Sequence, residues 1–255
     1  LLAWLGDRLL VTGGNQNQAG LHPAAALKQN GTYNPATGLW SLVPDSPAES
    51  GNYHLLLAEP VLWTIDPTTA KVFYLHLRRN TWTTAPDFPD AVPSFEATDP
   101  IRNQLTRHQQ VPMGVVGTKR FLFLVSTQNT SYRFDRYDNS WKKMAAAPQN
   151  FDNSNLELFA LPTNQGLFIW GGALATPLLY DPIADSWRQG PAAATVLNQS
   201  AMVVPKVTPE TVFFLTDGST VGVRINLADL SSQNLSASNA PTVGMSFPVT
   251  KADAS

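Results

Sequence analysis

Four histidines, His22, His54, His76 and His108, are the chain's first candidates for proton transfer or metal binding. An imidazole titrates nearest neutral pH and is the commonest metal ligand in proteins. No two of them stand at ligand spacing, so a histidine metal site has to be assembled from distant segments. His108 follows Arg107, and His54 closes the polar stretch GNYH (51–54). With Asn155, Glu157 and Gln199 they make a set of acid–base and hydrogen-bonding groups suited to a small polar ligand such as a sugar. The competing reading is structural, because polar residues at strand ends satisfy backbone groups and water, and it is the commoner outcome. His22 lies in a long polar loop, and His76 reads as a structural residue beside a turn.

Asp87, Asp90, Glu96 and Asp99 crowd one segment with carboxylates that a calcium ion can share. The prolines among them and the absence of glycine do not resemble a calcium loop, and a solvated loop is the better reading. The chain has no cysteine, no G-x-S-x-G, no H-E-x-x-H and no glycine-rich phosphate loop. Thiol catalysis, thiolate metal sites and disulfides are therefore excluded, and no cofactor is expected. Net charge is −2 and no basic run exceeds two residues, as at Arg78-Arg79 and Lys142-Lys143. Neither a nucleic-acid partner nor an anionic membrane surface is indicated. No apolar stretch has the length of a membrane span, so no insertion is expected within this segment. Because the chain starts at Leu1 rather than Met, it is read as a processed product or a portion of something longer.

What positions these residues is a repeat. Five apolar runs, RLLVTGG (8–14), PVLWTID (60–66), RFLFLVS (120–126), GLFIWGG (166–172) and TVFFLTD (211–217), are each followed by a second pattern. The second halves are YNPATGLW (33–40), LHLRRNTW (75–82), FDRYDNSW (134–141), YDPIADSW (180–187) and INLADLSS (225–232). In each, a large apolar residue precedes a polar turn and a residue seven positions on, Trp in four copies and Ser232 in the fifth. The runs are too short for helices and rich in strand formers, and the turns carry Pro, Gly, Asn and Asp. A further short strand candidate precedes each run: LLAWL, YHLLLAE, PMGVVG, LELFALP and SAMVVP. The spacing predicts an all-β chain of four-stranded antiparallel units, repeated roughly every 45 residues, which is the blade pattern of a β-propeller.

LLVTGG…TYNPATGLW and LFIWGG…LYDPIADSW resemble kelch repeats, with a Gly-Gly pair, a following Tyr and a Trp near the blade end. The other three copies replace the Gly pair by Ile65-Asp66, Val125-Ser126 and Thr216-Asp217. The resemblance, to the kelch-like and galactose-oxidase central-domain superfamily, implies one propeller over residues 1–255. Its blades would cover about 1–47, 48–89, 107–148, 153–191 and 197–240, with 241–255 closing the ring or opening a sixth blade. Five blades are expected, and six is the alternative. The Tyr and Trp of the outer strands are expected to pack one blade on the next.

The resemblance also orders the functions. A binding or interaction module that presents loops on one face to a protein or glycan partner comes first. The loops 15–32 and 87–110 and the channel-mouth residues His54, Arg107, His108, Asn155, Glu157 and Gln199 would share that face. A sugar-active enzyme of sialic-acid-mutarotase type is the alternative, with His54, His108, Arg107 and Glu157 as acid–base groups. A structural subunit of a self-assembling extracellular structure is third. Galactose-oxidase-type chemistry needs a cysteine cross-linked to a tyrosine and is ruled out. Asn30, Asn129, Asn198 and Asn234 begin N-x-S/T sequons. With charged residues at only 14%, they favour an extracellular or cell-surface location.

Overall fold

The structure, a computed structural model, describes residues 2–5, 7–12, 30–47, 54–58, 60–65, 71–89, 113–126, 131–149, 158–171, 174–193, 203–216 and 222–235. These residues are all-β, with no helix among them. They form five four-stranded antiparallel sheets, each ordered as its strands occur in the chain. The first holds β1 (Leu2–Trp4), β2 (Leu9–Thr12), β3 (Asn30–Asn34) and β4 (Leu39–Val43). The second holds β5 (His54–Ala58), β6 (Val61–Ile65), β7 (Val72–His76) and β8 (Thr81–Thr84). The third holds β9 (Met113–Gly117), β10 (Phe121–Ser126), β11 (Tyr132–Asp135) and β12 (Ser140–Lys143). The fourth holds β13 (Leu158–Thr163), β14 (Gly166–Gly171), β15 (Leu174–Asp181) and β16 (Ser186–Gln189). The fifth holds β17 (Val203–Val207), β18 (Thr211–Thr216), β19 (Gly222–Asn226) and β20 (Ser232–Leu235). The chain divides into two compact units, Leu1–Ala146 with three sheets and Ala147–Ser255 with two.

The seven-residue spacing in the sequence is a cross-strand pair. Tyr33 lies opposite Trp40, Leu75 opposite Trp82, Phe134 opposite Trp141, Tyr180 opposite Trp187 and Ile225 opposite Ser232. Each pair closes over a turn whose last residue is left-handed: Gly38, Asn80, Asn139, Asp185 and Leu230. That conformation suits Gly, Asn and Asp and strains most other side chains. Leu230 keeps it because its buried side chain packs against Gly190, where an added Cβ would lie 2.6 Å from the Leu230 Cβ. In four of the turns the preceding Asn or Asp caps the loop. Asn34, Asp135, Asp181 and Asn226 accept from the backbone N–H two residues on, at Ala36, Tyr137, Ile183 and Ala228. At the other end of the fourth sheet, Gly171 has φ 107° beside a register shift, as its place in a Gly-Gly pair suggests.

Every residue of β6 is buried, so both faces of the second sheet are covered there. Val61, Trp63 and Ile65 join Leu122, Leu124, Tyr132 and Phe134 of the third sheet, while Leu62 and Leu75 join Leu10 and Val43 of the first. In the second unit, Phe214 of β18 meets Phe159, Phe168 and Trp170 of the fourth sheet at 5.0–6.1 Å between ring centroids. The outer-strand tryptophans add a polar tie. Trp82 Nε1 donates to the Pro44 carbonyl at 2.8 Å, and Trp141 Nε1 donates to the Pro86 carbonyl at 2.9 Å. Both acceptors lie just past the last strand of the preceding sheet. Trp40 has its ring tilted against Tyr33, 5.2 Å between centroids, and is 62% exposed, as Leu42 is at 88%.

Trp63 also reaches across sheets, donating from Nε1 to the Thr118 carbonyl at 2.8 Å. Its ring leaves no room beside Gly117, where a Cβ would meet Trp63 Cδ1 at 2.8 Å. Trp63 is fully buried and cannot retreat. Gly117→Ala is therefore expected to lower stability by about 1–3 kcal/mol, as overpacking does, read as a reduced urea midpoint with an unchanged slope.

Candidate functional site

The channel-mouth set falls largely outside the description. His54 opens β5 with its backbone opposite Ile65. Arg107, His108, Asn155, Glu157 and Gln199 lie outside the described residues, as do His22, Asp90, Glu96 and Asp99. Asp87 is exposed just beyond β8. Among the described residues, no three His, Cys, Asp or Glu side chains are grouped to hold a metal ion. Of the sequon residues, Asn234 is exposed on the edge strand β20 and Asn30 sits in β3 between Thr12 and Val43. Asn129 and Asn198 lie outside the described residues.

A cavity of about 690 Å³ opens elsewhere, in the first unit. In a four-stranded antiparallel sheet, the first and last turns emerge at one end and the middle connection at the other. The cavity is at the turn end. The β1–β2 turn supplies Leu5, Asp7 and Arg8, and the β7–β8 turn supplies Leu77, Arg78 and Asn80. Pro60 comes from the β5–β6 turn and Lys119 from the β9–β10 turn, while Thr32, Ser41, Leu42 and Val43 form a wall from β3 and β4. Aliphatic carbon, hydroxyls, an amide, the Asp7 carboxylate and three cations thus share one concavity.

The cations are not equally available. Arg8 pairs with its neighbour Asp7, Nε to Oδ1 at 2.9 Å and Nη2 to Oδ2 at 3.0 Å, both exposed. Arg120 forks onto Asp135 with Nε 3.0 Å from each carboxylate oxygen and Nη2 2.6 Å from Oδ2. Burial pushes the Asp135 carboxyl up, but the Arg120 hydrogen bond, the Tyr137 N–H and the guanidinium charge outweigh it and hold the group below its ordinary range. Arg78, Arg79, Lys119 and Arg136 form no ion pair among the described residues. Arg136 Nε instead donates to the Lys119 carbonyl at 2.9 Å, and its guanidinium lies 4.7 Å from the Tyr137 ring centroid. The sequence signal for this cluster is a pair of dibasic steps, Arg78-Arg79 and Lys119-Arg120, in turns of consecutive repeats; as a run too short to indicate a nucleic acid, Arg78-Arg79 alone does not reveal it.

No family model matches the chain, and no curated protein matches it.

His76 stands where the other four repeats carry their capping Asn or Asp, and its Nδ1 is buried without a partner. Burial pulls its pKa below the ordinary 6.5, and Arg79, Arg136 and Arg78 pull it further. As pH falls below 6.5 the unfolded chain gains a proton that the folded imidazole refuses, so stability drops until the lowered folded pKa is passed. His76→Asn removes that drop and gives the turn its missing acceptor for the Arg78 N–H. The expected gain at pH 7 is about 0.5–1.5 kcal/mol, with a smaller loss than wild type in urea melts as pH falls below 6.5.

Proposed function

We propose that this chain is a kelch-type β-propeller that works as a binding module, its long connections meeting a protein or glycan partner. The observation that carries the reading is where length varies. The third and fourth strands are joined by turns of one design throughout, at 35–38, 77–80, 136–139, 182–185 and 227–230. At the opposite end of the sheets, the connections from second to third strand range from 172–173 to 13–29, and the link from the second sheet to the third runs over 85–112. Uniform turns serve a scaffold, while long irregular connections on a rigid frame are the usual seat of recognition. Two-faced sheets tied by Trp82 and Trp141 support the propeller frame. Since one frame hosts many functions, the partner has to come from the site and not from the fold.

The Arg107→Ala/His108→Ala double variant tests the loop end. Saturation-transfer NMR with neutral reducing sugars is expected to show transfer in the wild type that the double variant loses at an unchanged denaturation midpoint. Unaltered transfer overturns the assignment of these residues, and accelerated anomer exchange on the same samples favours the mutarotase-type alternative. The frame has its own test: a closed propeller of 255 residues has a radius of gyration of about 18 Å, and a clearly larger value by small-angle scattering overturns the ring.

A further inference from the structure

We propose that the turn-end cavity of the first unit binds a small anionic saccharide, its sulfate, phosphate or carboxylate held by Arg78 and Lys119 and its hydroxylated body lying along Ser41 and Asn80. This site is separate from the long connections, which leave the sheets at their other end.

Charge selects the anion. Among the described residues, the turns at this end of the first three sheets carry Arg8, Arg78, Arg79, Lys119, Arg120 and Arg136 against Asp7, Asp135 and Asp138, in a chain whose net charge is −2. Two of the six cations are spent on Asp7 and Asp135. Among the described residues of these turns, Asp138 is the carboxylate left to the remaining four, and one of the four is the Lys119 whose carbonyl holds Arg136. Positive charge gathered around a concavity attracts anions and is strengthened by the low-dielectric walls. A guanidinium matches a planar or tetrahedral oxyanion with paired donors, and an ammonium adds a point charge.

Shape and lining select the rest of the ligand. About 690 Å³ lies within the range of sites for single small molecules. Ser41 and Asn80 offer donors and acceptors to hydroxyls, and Leu77 and Pro60 offer aliphatic surface to the C–H face of a sugar ring. A long polyanion is a poorer fit, since the four available cations end at the third sheet and no basic run continues the track.

The test is calorimetric titration of the whole chain with a trisulfated heparin-type disaccharide, its unsulfated uronate counterpart and neutral lactose. Binding of the sulfated or the uronate ligand more tightly than lactose is the expected result, any lactose binding being unchanged in Arg78→Ala/Lys119→Ala, and the stronger of the two identifies the oxyanion. Arg78→Ala/Lys119→Ala should weaken it about tenfold or more, equivalent to ~1.4 kcal/mol. Raising salt from about 50 to 200 mM should weaken it several-fold. Both residues are exposed, so the variant's fold should persist, checked by an unchanged melting temperature. Arg107→Ala/His108→Ala should bind the disaccharide normally, which separates this site from the loop-end reading. No saturable binding, equal binding of lactose, an affinity indifferent to Arg78→Ala/Lys119→Ala, or preference for a single-stranded RNA oligonucleotide overturns the proposal.

Discussion

A four-stranded sheet with apolar side chains on both faces cannot stand alone in water. That constraint governs this chain. The second sheet turns Val61, Trp63 and Ile65 to one neighbour and Leu62 and Leu75 to the other, and each set is buried only because a neighbouring sheet supplies the opposite wall. A strand buried on both sides loses the apolar–polar alternation of a surface strand, which is why the main runs read as continuous apolar stretches. Burial alone does not fix how two sheets meet, because apolar contact has no direction. The indole N–H groups of Trp82 and Trp141 supply direction, each finding a carbonyl at a fixed place on the preceding sheet. Trp63 does the same inside the stack, and Gly117 exists to let it.

The hairpins divide the labour. At one end a turn of fixed length, closed by a left-handed residue, sets the register of every outer pair. Fixing backbone geometry there frees the turn's remaining side chains for other work. In the second and third sheets those positions hold Arg78, Arg79 and Arg136, and the β1–β2 and β9–β10 turns at the same end add Arg8 and Lys119, so sheets packed for apolar reasons bring cations of distant sequence together. Repulsion among them is relieved unevenly. Arg120 is neutralised by a largely buried Asp135, Arg8 by an exposed neighbour, and Arg136 is steered by a carbonyl and the Tyr137 ring. His76, caught beside three guanidiniums, is held toward its neutral form.

Much of the fold was legible because its signals are local. Seven-residue spacing from Tyr180 to Trp187 is what a cross-strand pair around one turn requires, and the apolar runs mark β2, β6, β10, β14 and β18. Residue type at strand entrances is all that groups His54, Arg107, His108, Asn155, Glu157 and Gln199, and of these only the backbone of His54 falls among the described residues. The cavity at the turn end was not legible, because its walls come from four turns and two strands spread between Leu5 and Lys119. Nor does residue type reveal that Trp40 stands exposed where Trp82 and Trp141 are tied down.

The sequence by itself determined the all-β class, the four-strand repeat, the position and design of each outer hairpin and the absence of cysteine chemistry. Each follows from interactions between residues near in the chain, or from composition. The tertiary structure alone decided which faces are covered, which tryptophans find a carbonyl, and which of the arginines keep their charge unpaired around a shared cavity. Those outcomes depend on distances between sheets, and the side chains involved meet only after burial has stacked one sheet on another.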